Sequence, residues 1–173
     1  MKPFCNIYSS FSHRAFDQIF HDVALQGLPV ILCLDRSGIV GEDGATHHGC
    51  YDMAVYRTLP GTVIAAPKDE TELKNMMYTA SIAEEGPFII RYPRGYGEGT
   101  DWKNMEFETM EPGKGELLLK GTDIAVIAVQ VLAVGGLQLQ LQTGIRQEKP
   151  IPFFKSLHML LKLVALQWPI PLI

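Results

Sequence analysis

Leu28-Pro-Val-Ile-Leu-Cys-Leu-Asp-Arg-Ser-Gly-Ile-Val-Gly-Glu-Asp-Gly-Ala-Thr-His-His-Gly49 joins an apolar run to a loop of glycines and ionisable side chains. The run Leu28–Leu34 reads as a buried parallel strand, because such strands are covered on both faces and carry no polar alternation. The loop that follows leaves the strand's C-terminal end, where open α/β sheets bind ligands. Four glycines between Asp35 and Gly49 let the backbone bend and approach a ligand closely. Among them sit Asp43, Thr46, His47 and His48, polar groups with no reason to gather in a core. A strand-end loop of this composition is a binding or catalytic loop.

Outward from this loop, the same alternation of short apolar runs and helical spacing recurs. Phe4–Tyr8 reads as a first strand. Ser12 can cap a helix from about His13 to Leu25, with Ala15, Phe16, Ile19, Phe20 and Val23 on one face and Gly27 as its stop. Tyr51–Arg57 reads as a short helix and Thr62–Ala66 as another buried strand, ended by Pro67. Asp69 with Glu72 three residues on resembles a capping box and starts a helix to about Ala83. Gly86-Pro87 breaks it, Phe88–Arg91 forms a further strand, and Tyr92-Pro-Arg-Gly95 turns out of it. Strand and helix in strict alternation predict an α/β fold, a doubly wound parallel sheet.

At 173 residues the chain is one ordinary domain, or one domain and part of another. A net charge of −4 argues against an electrostatic nucleic-acid binder. Cys5, Cys33 and Cys50 lack CxxC spacing and point to neither a disulfide framework nor a zinc site. The first residues lack the apolar core of a signal peptide, and no apolar run reaches the ~20 residues that span a bilayer, so a soluble, cytoplasmic protein without membrane contact is expected. Residues 97–115 are polar and aperiodic and read as an interdomain linker. Glu116–Lys120 and Asp123–Val129 read as opening strands of a second domain. Residues 1–129 hold two glutamines and eighteen acidic residues, whereas 130–173 hold six glutamines and one acid, Glu148. Such a tail completes no α/β pattern, and a frame shift after about residue 130, or a truncation, is expected to account for it.

Four collinear motifs resemble the 1-deoxy-D-xylulose-5-phosphate synthases, thiamine-diphosphate enzymes of the transketolase superfamily. They are Ile7-Tyr-Ser-Ser-Phe-Ser-His-Arg-Ala-Phe-Asp-Gln18, His21-Asp-Val-Ala24, Asp35 to Gly44 with Thr46-His47, and Arg91-Tyr-Pro-Arg-Gly95. The resemblance covers roughly residues 1–129. It implies a pyrimidine-binding domain over 1–96, the linker 97–115, and an incomplete C-terminal-domain segment over 116–173. It further implies condensation of pyruvate with D-glyceraldehyde 3-phosphate to 1-deoxy-D-xylulose 5-phosphate with loss of carbon dioxide. That product feeds isoprenoid synthesis and, in bacteria, thiamine and pyridoxal phosphate synthesis. The cofactor carries the hard chemistry, magnesium accompanies it, and homodimers are usual.

The resemblance also assigns roles. Phe11 stacks on the aminopyrimidine ring, and the Tyr8 hydroxyl faces the bound ligand; from the residues alone Phe11 reads as packing the helix start and Tyr8 as a half-buried strand tyrosine. Arg14 and Arg94 take the phosphate of glyceraldehyde 3-phosphate, for which a guanidinium fork is suited; alone, each reads as a surface charge. Asp43 and His47 stand over the reacting carbons, His47 having a side chain that exchanges protons near neutrality. Arg91 is expected to serve the turn and strand end, Asp35-Arg36 to hold the loop's start, and His13 and His48 to be solvated. No metal site is expected at His47-His48, which lack a third ligand.

Neither Gly41-Glu-Asp-Gly44 nor Gly121-Thr-Asp123 matches the family's Gly-Asp-Gly motif for diphosphate and magnesium. The family's catalytic glutamate precedes the Tyr-Ser-x-Phe motif and falls outside a chain with seven residues before Tyr8. The isolated chain is therefore expected to be inactive. Alternatives are a fragment of transketolase or of a 2-oxo-acid dehydrogenase beta subunit, and an inactive module that pairs with a full-length partner.

Overall fold

The computed structural model describes residues 1–117 and Val129. The strands expected at 116–120 and 123–129, and the glutamine-rich tail, lie outside the described residues apart from Glu116, Leu117 and Val129.

Four strands form one parallel sheet in the order β1 (Phe4–Tyr8), β2 (Ile31–Asp35), β4 (Phe88–Arg91), β3 (Val63–Ala65). Phe4 aligns with Ile31, Ile31 with Phe88, and Phe88 with Val63. The inner strands β2 and β4 are buried on both faces, which is why each reads as a run of apolar residues. Their side chains alternate between two cores. Leu32, Leu34 and Ile89 pack with Ile19, Ala24, Tyr56 and Leu59 on one face. Ile31, Cys33, Phe88 and Ile90 pack with Met76 and Ala80 on the other. The α/β, doubly wound expectation holds.

The connection from β1 to β2 is helical over residues 9–24 but not one regular helix. It runs through α1 (Ser9–Ser12), a 3₁₀ turn (His13–Ala15), α2 (Phe16–Gln18) and a π turn (Ile19–Ala24). The helix thus begins four residues before the expected start. Ser12 does not cap it: its hydroxyl donates to the Ser9 carbonyl at 2.7 Å, inside the first turn. The early start follows from Ser9, whose side chain is bound to a buried aspartate and leaves β1 already turning. Gly27 ends the stretch as expected, at φ +64° with its N–H on the Ala24 carbonyl.

The β2–β3 connection carries α3 (Asp52–Tyr56), and the β3–β4 connection is α4 (Glu70–Ile82). Asp69 caps α4 by accepting the Glu72 N–H at 2.8 Å, and the Glu72 carboxylate takes the Lys68 N–H. Residues 97–110, read from composition as a linker, lie as a strap along α4. Glu70 accepts from the Gly99 N–H and the Thr100 hydroxyl, Asn75 from the Glu108 N–H, and Thr79 from the Met110 N–H.

The cores fix the topology's consequence. The chain leaves β1 and β2 toward the face packed by Ile19 and Tyr56, and leaves β3 toward the face packed by Met76. After β4 it runs onto α4, on that second face. Neighbouring strands β2 and β4 therefore send their chains to opposite sides. The gap between their C-terminal ends is the sheet's switch point, where open α/β sheets bind ligands. Among the described residues no helix is long and apolar enough to cross a membrane.

Ile89 is fully buried in the centre of the sheet. Ile89→Ala is expected to lower stability by about 2–5 kcal/mol, whereas Leu25→Ala, at a 55% exposed position, shifts it by less than about 0.5 kcal/mol. Urea-unfolding midpoints of the two variants measure the difference.

Candidate functional site at the sheet's switch point

Tyr8 ends β1, and Phe11 follows one helical turn later, so the strand-to-helix corner sets their rings side by side, centroids 4.7 Å apart at 35°. His47 meets both edge-on, at 5.4 Å from Tyr8 and 5.3 Å from Phe11. These are tilted and T-shaped geometries that ring quadrupoles favour. Phe11 stays 42% exposed, so part of its ring is accessible to a ligand-sized group. The Arg14 guanidinium lies 5.9 Å from its centroid.

The loop that carries Asp43 and His47 is pinched at its base. Gly38 and Gly49 exchange N–H···O bonds of 2.9 and 2.8 Å, which closes residues 39–48 into a compact excursion. A side chain on Gly49 would sit 2.7 Å from the Arg36 carbonyl oxygen and 2.8 Å from Ser37 Cα, so only glycine fits. Inside the loop two 3₁₀ turns, Gly41–Asp43 and Ala45–His47, flank Gly44 at φ +78°. His48 is not solvated as expected. It is half-buried, and its Nδ1 accepts the Val40 N–H at 3.2 Å. His13 is likewise half-buried, beside Tyr56, because the helix starts early and turns it inward.

Asp43 is the electrostatic centre of this pole. Its Oδ2 accepts from the Tyr8 hydroxyl at 3.0 Å, and its Oδ1 from Arg94 Nη1 at 2.9 Å. Arg36 Nε stands 3.6 Å from Oδ2. The Tyr8 hydrogen bond, more than the Arg94 and Arg36 charges, holds the Asp43 carboxyl below the usual carboxylate range. Desolvation, with the Asp43 carboxylate next, raises the Tyr8 phenol above its usual range. Arg36 is held at φ +55°, a left-handed conformation rare for a side chain of its size. That conformation puts its guanidinium 4.7 Å over the Tyr8 ring while Nη1 donates to Asp35 at 2.7 Å.

All six residues singled out in the sequence thus join one contact chain: Arg14 to Phe11, Phe11 to Tyr8 and His47, Tyr8 to Asp43, Asp43 to Arg94. Beneath them is a group that the sequence reading did not assign. Asp52 is 1% exposed. Its Oδ2 accepts from Ser9 Oγ at 2.9 Å, Ser37 Oγ at 2.9 Å and Arg91 Nε at 3.0 Å, and its Oδ1 from the Met53 N–H at 2.7 Å. Arg91, 3% exposed, also donates to the Gly49 carbonyl at 3.3 Å. Arg91 is therefore a buried ion-pair partner as well as a strand end. The signal for Asp52 lay in its spacing: with Val55 and Tyr56 it falls at i, i+3, i+4, on the face of α3 that meets the core. Arg36, read as a loop anchor, does anchor to Asp35 but also enters the Asp43 network.

Two changes probe this geometry. In Tyr8→Phe, loss of the phenolic donor raises the Asp43 titration midpoint toward the ordinary carboxylate value, read by carboxyl NMR. Asp43's contribution to holding the loop is present above that ordinary value and is lost as pH falls through its depressed one. Gly49→Ala forces backbone apart at the loop's base at a cost of about 1–3 kcal/mol, measurable as a lower urea midpoint.

Comparison with known proteins places this geometry. Residues 1–98 match the family described as "Transketolase, pyrimidine binding domain". The chain is 57% identical over 129 residues to the 1-deoxy-D-xylulose-5-phosphate synthase of Bacteroides thetaiotaomicron, covering 75% of this chain and 20% of that protein. It is equally similar to the enzyme of the same name from Parabacteroides distasonis, 57% identical over 129 residues. The chain thus spans about a fifth of the length of the curated relatives it matches. Among solved structures it resembles a split-gene transketolase described as an inactive beta4 tetramer, at a TM-score of 0.65 and 26% identity, over 83% of this chain and 46% of that one.

Proposed function

Because the chain belongs to the transketolase pyrimidine-binding domain family, we propose that it supplies the pyrimidine- and phosphate-facing half of a 1-deoxy-D-xylulose-5-phosphate synthase active site. The reaction so served joins pyruvate and D-glyceraldehyde 3-phosphate with release of carbon dioxide. The observation that carries the reading is the convergence of Tyr8, Phe11, Arg14, Asp43, His47 and Arg94, from separate chain segments, in one contact network at the sheet's switch point. The similarity to synthases in particular, over 129 residues, favours this substrate pair over those of other branches of the superfamily.

Thiamine diphosphate, when bound, supplies the carbanion chemistry of such enzymes. The residues here fit one part of it: Phe11 offers a partly accessible ring backed by Tyr8 and His47, suited to an aminopyrimidine. Among the described residues no group of three His, Cys, Asp or Glu side chains is placed to hold a metal ion, and the diphosphate and its magnesium are assigned to other parts of the whole enzyme. Arg94 and Arg14 bind the substrate phosphate, and Arg36 adds a third guanidinium at the same pole. His47 hydrogen-bonds an oxygen of the reacting carbons and moves its proton, with the Thr46 hydroxyl 2.8 Å from His47 Nδ1 to fix the ring's orientation. Asp43 receives a substrate hydroxyl and, before substrate arrives, holds Arg94 in place.

The 173-residue chain by itself is proposed not to turn over. The beta chains of the split-gene transketolase it resembles form an inactive tetramer, and here the pyrimidine-facing ring stands open to solvent. Mixing the purified chain with pyruvate, glyceraldehyde 3-phosphate, thiamine diphosphate and magnesium should yield no 1-deoxy-D-xylulose 5-phosphate. In a full-length enzyme carrying these residues, Arg94→Ala should raise KM for glyceraldehyde 3-phosphate roughly 10- to 100-fold, the worth of one or two charge-assisted hydrogen bonds, with a smaller change in KM for pyruvate. An unchanged KM for glyceraldehyde 3-phosphate would remove Arg94 from the phosphate site.

A further inference from the structure

We propose that Asp52 is a positioning residue of this site, acting through its buried hydrogen bonds to set the arginines and rings that meet the substrate. The proposal rests on the phosphate-site reading above and deepens it. The hydrogen bonds of Asp52 go to other residues than the six, yet directly or through Arg91 they reach every segment that carries one. Ser9 Oγ follows Tyr8 directly and opens the turn that presents Phe11. Ser37 Oγ follows Arg36, the residue held in a left-handed conformation over Tyr8. Arg91, three residues before Arg94, binds the same Asp52 oxygen and reaches on to the Gly49 carbonyl, at the base of the loop that holds Asp43 and His47.

A buried charge satisfied in this way is a poor device for stability alone, because an apolar replacement of both partners is often as stable. What it does well is fix orientation. Three donors converge on a single oxygen, Oδ2, so a shift of any one segment disturbs the other two. The backbone bond from Ser37 N–H to the Tyr92 carbonyl, 3.0 Å, joins the same two loops from above.

Asp52→Asn leaves Arg91 buried without its counter-charge and is expected to destabilise the chain, so the deciding variant is Ser9→Ala/Ser37→Ala, which keeps the ion pair. Two readouts apply to the full chain, folded by circular dichroism. The first is inorganic phosphate titrated against the ring NMR signals of Tyr8 and His47. The second is the carboxyl titration of Asp43, which faces Tyr8, Arg36 and Arg94. The expected result is a roughly tenfold weaker phosphate affinity, the equivalent of one hydrogen bond's geometry, and an Asp43 midpoint moved up toward the ordinary value. A folded double variant with both readouts at their wild-type values overturns the proposal. If the wild-type chain shows no response to phosphate, the phosphate-site reading fails, and the Asp43 midpoint alone then decides whether Asp52 positions this pole.

Discussion

A carboxylate and a guanidinium buried against each other, Asp52 and Arg91, span the point where the sheet's connections part. Removing two charges from water costs several kcal/mol per ion, and attraction alone does not offset it unless the remaining lone pairs and donors are also met. Here they are met by two serine hydroxyls, a backbone N–H and a carbonyl. Those partners come from the start of α1, the two ends of the loop after β2, and the first turn of α3, all at the C-terminal end of the strands. The pair is thus a constraint on loop arrangement as much as on folding, and the sheet beneath supplies the rigid base on which it acts.

The charges above it obey a different balance. Asp43, Arg36 and Arg94 are partly solvated, and exposed ion pairs are weak because water and salt screen them. They do not hold the fold together. Their arrangement is a result of the buried pair and the pinched loop, and for that reason they can exchange one partner for another at small cost. The arrangement keeps its fixed charge deep and its exchangeable charge at the surface, a form of preorganisation.

The strands and α4 were legible because each carries a local signature that tertiary structure did not override. Ile31–Asp35 and Phe88–Arg91 are apolar because both faces are covered, and Asp69 with Glu72 announces a helix start. The first helix was read four residues late because Ser12 is a good cap in isolation, while the force that starts the turn at Ser9 comes from Asp52, distant in sequence. The same distance hid the hub. An aspartate in the first turn of a five-residue helix reads as an ordinary dipole partner, and only its alignment with Val55 and Tyr56 shows that it faces inward. The six candidate residues, which the fold brings together, were singled out through the motif resemblance rather than through spacing. Arg14 and Arg94 are exposed charges, and nothing local distinguishes them from solvated ones. The strap over α4 left no sequence trace, since its bonds run from backbone N–H groups to side chains of the helix.

Arg36 connects the two layers of charge. Its backbone is held in a left-handed conformation, and its neighbour Ser37 is bound to Asp52. Its Nε is buried and meets no acceptor among the described residues, with the Asp43 carboxylate 3.6 Å away. A buried N–H left unmet and a disfavoured backbone angle both cost free energy in the unliganded chain. The left-handed turn at Arg36 lays its guanidinium over Tyr8 while Ser37 reaches Asp52, so one backbone angle ties the buried pair to the exposed charges.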